Sequence, residues 1–181
     1  MEWTFFRKCG KIITQIRKGD KYMAYKVLDV SRYVINYSNE KEYGISNLKL
    51  QKILYFIQAF FLISASKSCF KEKIEAWDFG PVVPEAYREY KQFGGGDIPS
   101  ISYIIDFNDE NIWESDIVEY EDDIISKSDK QRIMAVVDKF ADYSATDLVS
   151  ITHAQTPWKS AYKKGQNNEI TIESMKGFFN V

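Results

Sequence analysis

The segment from Leu50 to Ile63 constrains this chain more than any other, because it is apolar on almost every side of a helix. Leu50, Ile53, Leu54, Ile57 and Phe61 recur at helical spacing, and Tyr55, Phe56 and Phe60 widen that stripe beyond the face of a surface helix. Ser46 or Asn47 supplies an N-cap. A helix without a polar face belongs at the centre of a core or inside a bilayer. The longest apolar run, Ile53 to Ile63, is interrupted by Gln58 and flanked by Lys49, Lys52 and Ser64, short of the roughly 20 residues that span a membrane. The segment predicts a central core helix, no membrane association, and a chain wrapped around that helix.

The flanking pattern supplies the wrapping. Val27, Leu28, Ser31, Val34 and Ile35 predict a first helix that stops before Tyr43-Gly44. Ile74, Ala76 and Phe79 alternate with Glu75 and Asp78 ahead of Gly80-Pro81 and Pro84, which predicts an extended segment and a turn. Pro84 then opens a helix carrying Tyr87, Tyr90 and Lys91, closed by Gly94, with Gly95 and Gly96 as a connection. Ser128 caps a helix through Ile133, Val136, Val137 and Phe140. Ser144 and Asp147 form a capping box for a short helix through Leu148 and Ile151. Pro157 marks another helix start, and Ile172, Met175, Phe178 and Phe179 a last one. The fold class is mainly α: a compact helical domain with a short extended or β segment around residues 74–83. At 181 residues, 45% hydrophobic, the chain has material for one such core.

Charge and side-chain chemistry remove function classes. A net charge of -2 offers no overall field to nucleic acid. Cys9 and Cys69 lie far apart, which suits a reducing cytoplasm and supports neither disulfide nor zinc. His153 is the single histidine, so paired-histidine metal sites are ruled out, and no G-x-S-x-G elbow accompanies it. Gly94-Gly95-Gly96 lacks the lysine of a phosphate-binding loop. We therefore expect no enzyme activity, no catalytic or metal-binding residues and no cofactor. Residues 106–123 hold nine acidic side chains and no basic one, the mark of a solvated insertion or loop, but Ile112, Trp113, Ile117, Val118 and Tyr120 among them also suit docking on a basic partner. Residues 1–22 read either as a basic amphipathic arm or as a non-native leader, since Lys18-Gly19-Asp20 can be encoded by a ribosome-binding sequence just ahead of Met23.

Three motifs stand apart by their specificity. They are Leu48-Lys49-Leu50-Gln51-Lys52-Ile53-Leu54-Tyr55-Phe56, then Ala76-Trp77-Asp78-Phe79-Gly80-Pro81-Val82 with Tyr87 beyond it, then Thr152-His153-Ala154-Gln155-Thr156-Pro157-Trp158. In order and spacing they resemble the signature of the Panacea domain, a SocA-like antitoxin and phage-associated family, and the likeness runs from about residue 23 to residue 179. The acidic stretch looks longer than that family usually carries. The resemblance implies a compact, mainly helical fold, no catalytic residues, and an antitoxin that neutralises a cognate toxin by direct binding, masking it or presenting it to a protease. The competing reading is a phage or mobile-element inhibitor of a host defence protein, anti-CRISPR-like, that uses its acidic surface.

Physical reasoning gives the motif residues structural roles first. Leu50, Gln51, Lys52, Tyr55, Trp77, Gly80, Pro81, Thr152, His153, Pro157 and Trp158 are expected to hold the fold, with Trp77 anchored in the core, Tyr87 packed on the central helix, and the His153 and Trp158 ring nitrogens tying helix ends together. The residues expected to meet a partner are Trp77, Tyr87, Tyr90, Trp113, Glu114, Asp116 and Glu119.

Overall fold

A computed structural model describes residues 24–106 and 116–179. The segment at residues 1–22, with the choice between arm and leader, lies outside them. Helix α1 spans Val27–Glu40 and α2 spans Asn47–Ala65; the latter is the axis of the fold. Ser46 caps α2, its hydroxyl accepting from the Lys49 amide, and the left-handed Ser66 (φ 53°) ends it. By length and composition α2 could cross a bilayer, but here it is sheathed in protein. The sheath consists of α1, β2 (Gly80–Val82), α3 (Pro84–Tyr90), α4 (Lys127–Lys139), α5 (Ala145–His153) and α7 (Ile172–Phe179). A short helix, α6 (Thr156–Ala161), links α5 to the last segment. The chain is mainly α with short β segments.

Gln58, which breaks the apolar run of α2, is buried and satisfied. Its side-chain oxygen accepts from the amides of Cys69 and Phe70 at 2.8 and 3.3 Å, and its nitrogen donates to the Phe70 carbonyl. One polar side chain thereby pairs a loop that would otherwise bury unpaired backbone against a greasy helix. A second buried polar cluster fastens the far end. Asp129 accepts from Arg132, Lys67 and the Tyr25 hydroxyl at 2.8, 3.1 and 2.8 Å, joining the segment before α1, the loop after α2 and the first turn of α4.

The extended segment anticipated around residues 74–83 is a tight antiparallel hairpin, β1 (Glu75–Trp77) with β2, in the register Glu75 to Val82 and Trp77 to Gly80. Pro84 begins α3 as expected. A short 3₁₀ turn, Lys91–Phe93, extends it, and Gly94 closes that turn at positive φ.

Three expectations are corrected. Ser126, not Ser128, caps α4, accepting from the Asp129 amide; Ser128 falls inside the first turn, because the helix starts early enough to seat Asp129 at its buried cluster. Phe79 does not alternate inward, since Asp78-Phe79 is the two-residue turn of the hairpin and the ring projects 67% exposed. A second sheet also forms where only an acidic insertion or loop was anticipated: β3 (Tyr103–Asp106) pairs antiparallel with β4 (Asp116–Glu119). Asn36 on α1 anchors the approach to β3 by pairing both polar atoms of its amide with the Ile101 backbone.

A candidate protein-docking site

The three motifs converge on the β1–β2 hairpin. From α2, the Gln51 side-chain oxygen accepts from the Val83 amide at 2.9 Å, while its nitrogen donates to Asn47, whose own nitrogen donates to the Tyr87 carbonyl. One helical turn of side chains thus fixes both the exit of β2 and the backbone of α3. Lys52, fully buried, donates from Nζ to the Pro81 carbonyl at 2.8 Å. Burial alone pushes its ammonium down to about 7. Gly80, at φ 97°, is pressed between Lys52 and Thr152. Tyr55 reaches across to the Gln155 side chain at 2.8 Å, and Leu50 lies in the core.

The third motif clamps the hairpin from outside. The Trp158 indole donates to the Trp77 carbonyl at 3.0 Å, and Pro157 is buried in the first turn of α6. His153, Trp158 and Tyr162 form a run of stacked rings at centroid spacings of 3.9 and 4.5 Å. The Tyr162 hydroxyl bonds Asp78 in the hairpin turn. The His153 imidazole is pushed below its ordinary value by burial and by the nearby Lys52 charge, offset in part by its bond to the Asp78 backbone. Together these contacts hold the two-residue turn rigid from two sides.

A groove of about 480 Å³ opens beside this rigid turn, walled by Trp77, Phe79, Val82 and Tyr87, with Lys91 and Asn167 at its polar margin. Trp77 and Tyr87 meet edge to face at 4.9 Å. Trp77 is not the core anchor anticipated: Ala76 takes the buried position, and the Trp77 indole lies at intermediate depth, donating to Glu75. Tyr87, 36% exposed, packs its ring on Trp77, and Asn47 of α2 holds its carbonyl.

The other anticipated partner residues are dispersed. Tyr90 is 3% exposed and turned inward, so it cannot meet a partner. Asp116 and Glu119 are exposed on β4, separate from the groove; Trp113 and Glu114 fall outside the described residues. Phe79 was missed, although its place between an alternating run and Gly80-Pro81 marks a hairpin tip. Chemically, the groove offers rigid apolar and aromatic surface with a few polar margins, the equipment of a protein-binding site. Among the described residues the one buried amine, Lys52, is engaged by a carbonyl beneath the hairpin.

The comparisons agree with this assembly. The family model described as "Antitoxin SocA-like, Panacea domain" matches residues 50–159, from the motif on α2 through that on α6. The chain is 34% identical over 119 residues to antitoxin SocA of Caulobacter vibrioides (strain NA1000 / CB15N), an alignment covering 63% of this chain and 58% of that relative. No solved structure matches. The matched range takes in the residues that lock the hairpin against α2, and the chain belongs to the SocA-like antitoxin, Panacea domain family.

Proposed function

We propose that this protein is an antitoxin that neutralises a cognate toxin by direct binding in the bacterial cytoplasm, and that the β1–β2 turn with its adjoining groove is the docking face. The observation that carries the reading is Phe79: a large aromatic ring held out at the tip of a turn that a network of buried donors and acceptors makes rigid. An exposed aromatic on a pre-ordered backbone loses little entropy on binding, and such residues dominate interface energetics. Family membership supplies the class of partner, a toxin protein. Masking the toxin and delivering it to a protease both begin with this docking step.

The test is co-expression with the product of the adjacent gene, scoring growth rescue and co-purification. Phe79→Ala and Trp77→Ala should each weaken the complex by about 2–4 kcal/mol, roughly thirtyfold to a thousandfold, with the melting curve of the free protein nearly unchanged for Phe79→Ala. A toxin that is stable in complex but degraded in cells would assign proteolytic delivery; one that persists would assign masking. Unimpaired rescue by both variants would remove the groove from the interface. A toxin recovered with altered mass would replace binding by chemical modification.

A further inference from the structure

We propose that the β3–β4 hairpin, with the cleft at its foot, is a second docking surface, and that its occupant is a basic, extended segment of a partner protein. This surface lies apart from the Phe79 groove and does not depend on it.

The hairpin is an unfinished sheet. β3 and β4 pair only with each other among the described residues, in the register Tyr103 to Glu119 and Ile105 to Ile117. Strand alternation puts Ile104 and Val118 toward the body of the protein. Tyr103, Ile105 and Ile117 share the other face, at 65%, 55% and 76% exposure. Two strands alone are marginal in water; a third strand or a covering chain completes the hydrogen-bonding edge and buries the apolar face. An extended segment supplies both at once, as in strand addition by peptides.

Charge selects which segment. Residues 106–123 carry nine acidic groups and no basic one, and Asp116 and Glu119 stand on β4 itself. A second copy of this chain would bring carboxylates against carboxylates along β4, a destabilising cross-strand pairing. A segment alternating basic and apolar residues meets both features. At the foot of the hairpin, where the Tyr120 amide continues the ladder to the Ser102 carbonyl, a cleft of about 720 Å³ is walled by Tyr33, Tyr37, Tyr120 and Glu121. The cleft already takes cations: Lys130 sits 5.7 Å from the Tyr33 ring centroid and Lys41 5.5 Å from that of Tyr37. Glu40 and Asp122 already pair with Lys41 and Lys130 at 3.5 and 2.7 Å, and Glu121 and Asp123 add two further carboxylates to the cleft wall, so a further Arg or Lys is favoured.

The probe is a short capped peptide alternating arginine and valine, titrated into the isotopically labelled full-length chain and followed by amide chemical shifts. Shifts confined to residues 102–106, 116–123 and the cleft side of α1 are expected. Affinity should fall at least tenfold between about 50 mM and about 500 mM salt, and about tenfold for Ile117→Asp or the pair Glu119→Lys with Glu121→Lys. These positions are exposed, so the variants should fold; an unchanged melting curve checks this. Phe79→Ala should bind the peptide normally. The same peptide with alternate backbone nitrogens methylated cannot add as a strand and should bind at least tenfold more weakly. Equal binding of that peptide, equal binding of a glutamate–valine counterpart, shifts centred on the Phe79 groove, or a dimer that Ile117→Asp dissociates would each overturn the proposal.

Discussion

Alanine at Gly80 probes the lock under the docking turn. Gly80 adopts φ 97°, a conformation that costs a residue with a side chain about 1–3 kcal/mol. Its new Cβ would lie 2.8 Å from Thr152 Oγ1 and 2.9 Å from Lys52 Cε. Both neighbours are fully buried and held by hydrogen bonds, so neither yields freely, and relieving the overlap adds about 1–3 kcal/mol. The total, about 2–6 kcal/mol, is a large share of the roughly 5–15 kcal/mol that holds a typical domain folded. Gly94 is the control. It also has positive φ, at 56°, but an added Cβ meets nothing within 4 Å, so Gly94→Ala bears only a backbone cost of about 1–3 kcal/mol, without the overlap added at Gly80. Urea unfolding of the two variants beside wild type measures the difference, and Thr152→Ala combined with Gly80→Ala should recover part of the loss. Equal destabilisation by the two single substitutions would refute the claim that close packing against Lys52 and Thr152 fixes the turn.

Two further outcomes follow from burial. Burial pushes the Lys52 ammonium down to about 7 from its ordinary 10.5, so between these values the unfolded chain holds a proton that the folded chain has lost. Stability contributed at this site therefore rises with pH through that window, by up to about 1.4 kcal/mol per pH unit, and the cost of the buried charge is complete below it. Urea unfolding from about pH 6 to about pH 9 should show the gap between wild type and Lys52→Met widening in favour of wild type; a gap independent of pH would show that folding takes no proton from Lys52 in this range. Burial also pushes the Cys69 thiol up and shields it completely, so peptide-resolved alkylation at Cys69 should run at least about a thousandfold slower in the native chain than in urea. Native alkylation at the unfolded rate would show the loop after α2 to be open.

The features legible in the sequence are those with a strong local cause. The all-round apolar pattern of α2, interrupted by Gln58 and flanked by lysines, marks it as a core helix, and the Ser144–Asp147 capping box and Pro84 helix start appear where their chemistry puts them. What stayed hidden depended on long-range partners. Nothing local distinguishes Tyr87 at the surface from Tyr90 in the core; α1 and its neighbours decide that. Ser126 outcompetes Ser128 as a cap because Asp129 must reach Lys67 and Tyr25, far away in the chain. The β3–β4 pairing was masked by acidic residues, which usually signal solvated loops, and neither Tyr103-Ile104-Ile105 nor Ile117-Val118 alternates apolar with polar residues. For the candidate site, the motifs told which residues matter to the fold, but the ring offered to solvent, Phe79, was grouped with Ile74 and Ala76 although it lies three residues beyond Ala76, where the strand's period of two has already given way to a turn.

The sheath around α2 has a consequence for how the protein is made. Three of the helices that cover it, α4, α5 and α7, come from the second half of the chain. During synthesis at about 5–20 residues per second, the most apolar helix leaves the ribosome several seconds to some twenty seconds before its last cover arrives. In that interval the nascent chain presents Phe56, which later stacks on Phe140, and Tyr55, which later meets Phe179, to whatever chaperone or protease is nearby. Premature termination anywhere before α7 would leave that surface bare, so abortive products should be cleared rather than accumulate as partially active fragments.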